Sequence, residues 1–118
     1  MKQKNPKFEK VLFQAAYEGL NVIGNSVPMA IFPHLEKSGS IGPGNVISDP
    51  KAFGDSLRKI FGFGSKIIEK QILEILYEKL QISRKLDNSF SFDEEIENVK
   101  KIFRSTEVQF PLTETVNV

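Results

Sequence analysis

From Phe8 through Val11, Leu12, Ala15 and Ala16 to Leu20, apolar residues recur at spacings of three and four, which predicts an amphipathic first helix over about 7–22. Gly24 and Asn25 break the pattern, and Ser26 is placed to cap a second helix, PMAIFPHLEK, whose Pro28 falls in the tolerated first turn. Pro33 lies inside that segment, where it removes a backbone donor and crowds the preceding turn at about 3 kcal/mol. A kink or an early end is expected there. Ser38 to Asp49 is rich in Gly, Ser and Pro without helical period, so it reads as a mobile loop.

Asp49 followed by Pro50 is a strong start for a third helix running to about Phe61, because a carboxylate accepts from free backbone N–H groups and proline presets the first dihedral. The glycines of FGFG, Phe61 to Gly64, end it in left-handed dihedrals, with both rings expected to pin the turn to the core. A fourth helix, SKIIEKQILEILYEKLQI, carries Ile67, Ile68, Ile72, Leu73, Ile75, Leu76, Tyr77 and Leu80. These cover more than one narrow stripe, the mark of a central helix or a shared interface. After the polar connector 83–91, Ser91 and Glu94 form a capping-box pattern ahead of FDEEIENVKKIFR, whose acids lead and bases follow as the helix dipole favours. The tail, 105–118, has β-branched residues and Pro111 and is expected to be extended or disordered.

The pattern therefore predicts an all-α fold: one compact bundle of about five helices over 1–104, with a polar N-terminus and an extended C-terminal tail over 105–118. A chain of 118 residues has the size of one domain. Having no cysteine, it has no disulfide, thiolate nucleophile or cysteine-held metal. Glu9, Gln14 and Glu18 interrupt the first segment before a signal-peptide core can form, and no apolar run reaches the length of a membrane span. A cytoplasmic chain with no membrane partner is expected. Charge is uneven: five basic against three acidic residues over 1–48, eight against five over 49–85, and three against seven over 86–118. A mildly basic body with an acidic end lacks the concentrated field of a dedicated nucleic-acid binder. The acidic end can instead fold back on the body.

Candidate chemistry is sparse. His34 is the one histidine and has no companion Cys or His for a metal site or a triad. Gly62, Gly64, Ser65 and Lys66 lack the spacing and the preceding strand of a phosphate loop. Asp93 and Glu97 share a helix face but fit a solvated helix start better than a metal pair. An enzyme would have to work with groups such as Lys70, Glu74 and Tyr77. No cofactor is implied. Lys51, Arg58, Lys59, Lys66 and Lys70 are the candidate nucleic-acid contacts, should they converge around a helix-turn-helix variant. The apolar surfaces carry more weight. Ile72, Leu73, Leu76, Tyr77 and Leu80 are the candidate interaction face, and the rings of Phe13, Phe32, Phe53, Phe61, Phe63, Phe92 and Phe103 exceed what a chain of this length readily hides. Homodimer formation through the fourth helix or the edge of the fifth would cover them; a compact monomer with a phenylalanine-rich core is the alternative.

AIFPHLEKSGSI, Ala30 to Ile41, followed by DPKAFGDSLRKIFGFGSKIIEKQILEILYEKL, Asp49 to Leu80, resembles the archaeal Nitrosopumilus output domain family. The resemblance covers about residues 8–80, and its best motifs are HLEK at His34 to Lys37 and KIFGFGSKIIEKQIL at Lys59 to Leu73. It implies a helical domain that stands alone or joins signalling proteins and has no established activity. The expected function is a non-catalytic interaction or signalling output module that self-associates, with a nucleic-acid-binding regulator as the alternative.

Overall fold

The computed structural model describes residues 6–104 of the chain. Four helices lie wholly within them: α1 (Pro6–Ile23), α2 (Val27–Lys37), α3 (Pro50–Phe61) and α4 (Ser65–Lys79), with a 3-10 turn at Gly62–Gly64 joining the last two. The last helix, α5, has the bounds Phe92–Asn117 and is described from Phe92 to Arg104. The expected extended or disordered tail, 105–118, lies outside the described residues. Among the described residues there is no strand, only an isolated bridge between Gly42 and Val46, and the all-α class stands.

At the centre, α1 crosses α4 at Gly19. A Cβ there would sit 2.8 Å from Ile72 Cγ1 and 3.4 Å from Ile72 Cα, so glycine lets the two backbones approach. Lys79 Nζ on α4 meets Glu18 of α1 at 2.6 Å beside the crossing. Leu12, Ala15, Ala16 and Leu20 of α1 and Ile72, Leu73 and Leu76 of α4 are fully buried. α3 and α5 complete the core with Phe53, Leu57, Phe92, Ile96 and Val99. The rings of Phe53 and Phe92 lie 6.1 Å apart across this contact.

Most local signals act as the sequence predicts. Asp49 Oδ1 accepts from the Ala52 N–H at 3.1 Å and α3 begins at Pro50. Elsewhere packing or an unforeseen cap decides. α2 continues through Pro33 to Lys37 instead of ending early. Pro33 and Met29, four residues before it, both lie on the exposed side, where water can take the hydrogen bond that proline forgoes. Ser26 precedes α2 without a side-chain cap. Before α5, Ser91 Oγ donates to the Asp93 carboxylate at 2.9 Å, so its side-chain partner is Asp93 and not Glu94. α4 stops at Lys79, short of the predicted Ile82. Gln81 turns left-handed (φ 58°), and the N–H groups of Gln81 and Ile82 return to the carbonyls of Glu78 and Tyr77. This is the Schellman closure, made here without glycine.

The loop after α2 is held at several points. Ser40, Ile41 and Ile47 are buried, the Ile47 N–H donates to the Glu9 carbonyl at 3.2 Å, and Ser40 Oγ lies 3.1 Å from Ser56 Oγ of α3. Glycine and proline shape its course while two isoleucines fasten it to the core.

Candidate functional site

The face expected to bind a partner is internal. Ile72, Leu73 and Leu76 have no exposed surface, Tyr77 is buried, and Leu80 is half-buried against the same core. α4 is apolar on several sides because it is the central helix, wrapped by α1, α3 and α5 of its own chain. The surplus of rings shrinks likewise. Phe53 and Phe92 are buried; Phe13, Phe32, Phe61 and Phe103 pack on the core from its margin. Phe32 lies 5.1 Å from Phe13 and 5.7 Å from Tyr17, and Phe103 lies 5.6 Å from Phe8. Phe63 alone of the seven is open, at 103% relative exposure. It was expected to pin the turn.

The reason is local. α3 buries Phe53, Gly54 and Leu57, which turns Lys59 and Ile60 outward. Gly62 then takes a positive φ of 60°, while Gly64 stays right-handed at −68°, and the phenyl ring of Phe63 between them stands outside the bundle. α4 resumes with Ser65, Ile68 and Glu69 inward and Lys66 and Ile67 outward. Ile67 is 76% exposed and Ile60 43%. The result is an exposed apolar tip of Ile60, Phe63 and Ile67 in the segment that joins α3 to α4.

Beneath the tip runs a chain of charges. Glu69 is 1% exposed, and its carboxylate accepts from Arg58 Nη1 at 2.8 Å. Arg58 Nη2 donates to Asp55 at 2.6 Å, and Asp55 in turn accepts from Lys51 at 3.3 Å. Burial pushes the Glu69 carboxyl above its usual range, opposed by the Arg58 charge, whereas hydrogen bonds from Arg58 and Lys51 hold Asp55 below it. Of the five candidate nucleic-acid cations, Lys51 and Arg58 are therefore engaged within the chain. Lys66 Nζ donates to the Phe90 carbonyl and stands 4.0 Å from the centre of the Phe90 ring, which orients its charge without cancelling it. Among the described residues neither Lys59 nor Lys70 has an ion-pair partner.

A second cluster joins α4 to α5. Glu95, buried, accepts from Arg84 Nε at 2.8 Å and Nη2 at 2.9 Å and from the Tyr77 hydroxyl. The Arg84 hydrogen bonds hold the Glu95 carboxyl below its ordinary range. Tyr77 is pushed far above 10.0, first by burial and then by the carboxylate it donates to. A tyrosine whose pKa rises on folding binds its proton more tightly in the folded state, so stability falls as pH climbs past the unfolded value of about 10. The midpoint of urea unfolding should drop between about pH 10 and 11, with a shallower alkaline slope for Tyr77→Phe. Parallel slopes would place the titrating group elsewhere.

His34 is exposed, Asp93 and Glu97 are half-exposed, and Glu74 is exposed while Tyr77 is buried, so Lys70, Glu74 and Tyr77 do not converge on one surface. Among the described residues no cluster of His, Cys, Asp and Glu is arranged to hold a metal ion, and no helix is long and apolar enough to cross a membrane. Comparison with protein-family models, curated proteins and solved structures finds no match to this chain.

Proposed function

We propose that this chain is a non-catalytic binding module that makes its contact through the α3–α4 tip. The observation that carries this reading is Phe63, which leaves a large ring entirely in water beside Ile60 and Ile67. Val22, Ile23 and Met29 are exposed too, but a group of exposed apolar side chains marks a contact site more often than single ones do. Two of the three buried carboxylates among the described residues support it as well, since Glu69 and Glu95 accept from arginines of their own chain and hold helices in place. The resemblance over residues 8–80 implies a helical domain with no established activity, which leaves room for a binding role. Self-association, first attached to the middle of α4, has to use another face, because those side chains fill the core. A nucleic-acid surface built on all five candidate cations has less support, given that Lys51 and Arg58 are ion-paired within the chain.

A photo-reactive phenylalanine analogue placed at position 63 in cells is expected to crosslink strongly, and the same group at exposed Glu78 only weakly. Equal and low yields at both positions would remove the tip as a contact surface.

A further inference from the structure

The charges around the tip identify its partner's chemistry. Within 58–71 the one carboxylate is Glu69, buried and paired with Arg58; from neighbouring stretches Asp55 and Asp93 face Arg58, and Asp87 faces Lys66. The cations are Lys59, exposed beside Ile60; Lys66, exposed beside Ile67 with its Nζ on the Phe90 carbonyl; and Lys70, half-buried one helical turn beyond Ile67. Three lysines thus lie within one turn, in sequence, of three exposed apolar side chains, an amphipathic stretch suited to a partner both apolar and anionic. A symmetric contact between two copies would bring each lysine set against its twin. It also lacks area: a stable protein interface takes about 20–30 residues a side, whereas the tip offers three apolar ones. An anionic bilayer needs far less. A few apolar side chains enter the boundary between headgroups and acyl chains, and the cations sit among the phosphates. The ring also projects, as insertion requires, where capture of a peptide would call for a groove.

Resting on the binding-module reading above, we propose that the α3–α4 tip is a peripheral contact for an anionic lipid surface: Phe63 enters the bilayer boundary, Ile60 and Ile67 flank it, and Lys59, Lys66 and Lys70 meet the headgroups. Each lysine strengthens binding about fivefold at low salt, and the effect fades once the Debye length falls below the spacing of the charges. The aliphatic flanks separate this site from a single-strand nucleic-acid platform, where stacked rings alternate with cations along a groove.

The chain has no tryptophan, so Phe63→Trp in the full chain is a single reporter at an exposed position. Adding vesicles of phosphatidylcholine with phosphatidylserine should blue-shift its emission, with little change for phosphatidylcholine alone and reversal in high salt. In vesicle sedimentation the variant Lys59→Ser with Lys70→Ser should bind about 25-fold more weakly than the natural chain, and Phe63→Ser roughly tenfold more weakly or worse. Both should keep the helical circular dichroism of the natural chain. No shift with anionic vesicles overturns the proposal, as does equal binding to neutral ones. Crosslinking at 63 to a protein, with silent vesicles, would leave the binding module standing and reject the lipid. A shift that follows protein concentration without vesicles would assign the tip to a second copy.

Discussion

Leu73→Asp should unfold the chain, and Ile67→Asp, six residues earlier on the same helix, should leave it folded. Leu73 has no exposed surface and α1 is packed against α4 at Gly19 and Ile72. Replacing it forfeits about 2–5 kcal/mol of aliphatic packing and buries a carboxylate with no cation to pair with, worth several kcal/mol more. Together these approach the whole stability of a small domain, about 5–15 kcal/mol. Ile67 is 76% exposed, and the same chemistry there changes stability by about 0.5 kcal/mol or less. Helical circular dichroism and solution mass read both variants. A folded Leu73→Asp chain of reduced mass would return α4 to the role of a dimer face.

That contrast also marks how far the sequence can be read. Periodicity locates α1, α3 and α4 because a helix must bury one stripe, and the Asp49-Pro50 start is legible because capping is local chemistry. Whether the broad apolar surface of α4 meets its own chain or another is a tertiary fact. One residue hinted at the answer. Gly19 sits in the apolar stripe of α1 between Ala16 and Leu20, where a helix gives up about 1 kcal/mol relative to alanine unless close packing needs the space. Glu69 was visible in a similar way, standing between Ile68 and Ile72 on the core face of α4. Its partner Arg58 lies across the glycine turn, beyond the reach of a helical i,i+4 rule. The left-handed Gln81 has no composition signal at all. Phe63 misleads because a ring between two glycines fits a pinned turn and a projecting one equally well; only the directions of α3 and α4 decide between them. The expectation of no membrane partner rests on the search for long apolar runs, and among the described residues no helix is long and apolar enough to cross a membrane.

Glu95→Ala should loosen α5 before the rest of the molecule. Three bonds converge on this carboxylate, from Tyr77 on α4 and twice from Arg84 in the connector. The connector makes no helix, so its attachment depends on this cluster, on Leu86 and Phe90 at the core and on Lys66 reaching the Phe90 carbonyl. Removing the carboxylate lets the half-exposed Arg84 return to water. The buried Tyr77 hydroxyl keeps no acceptor there, at about 1–3 kcal/mol. Because Glu95 is held below its ordinary pKa, its contribution is present at neutral pH and is lost as pH falls through the folded value. The natural chain should therefore lose α5 protection on acidification, and Glu95→Ala should show that loss already at pH 7. Hydrogen exchange followed segment by segment is the measurement: faster exchange in 84–104, with the α1–α4 crossing still protected, is the expected result. Exchange rising uniformly along the chain would mean that the cluster belongs to one cooperative core, and that α5 has no separate opening.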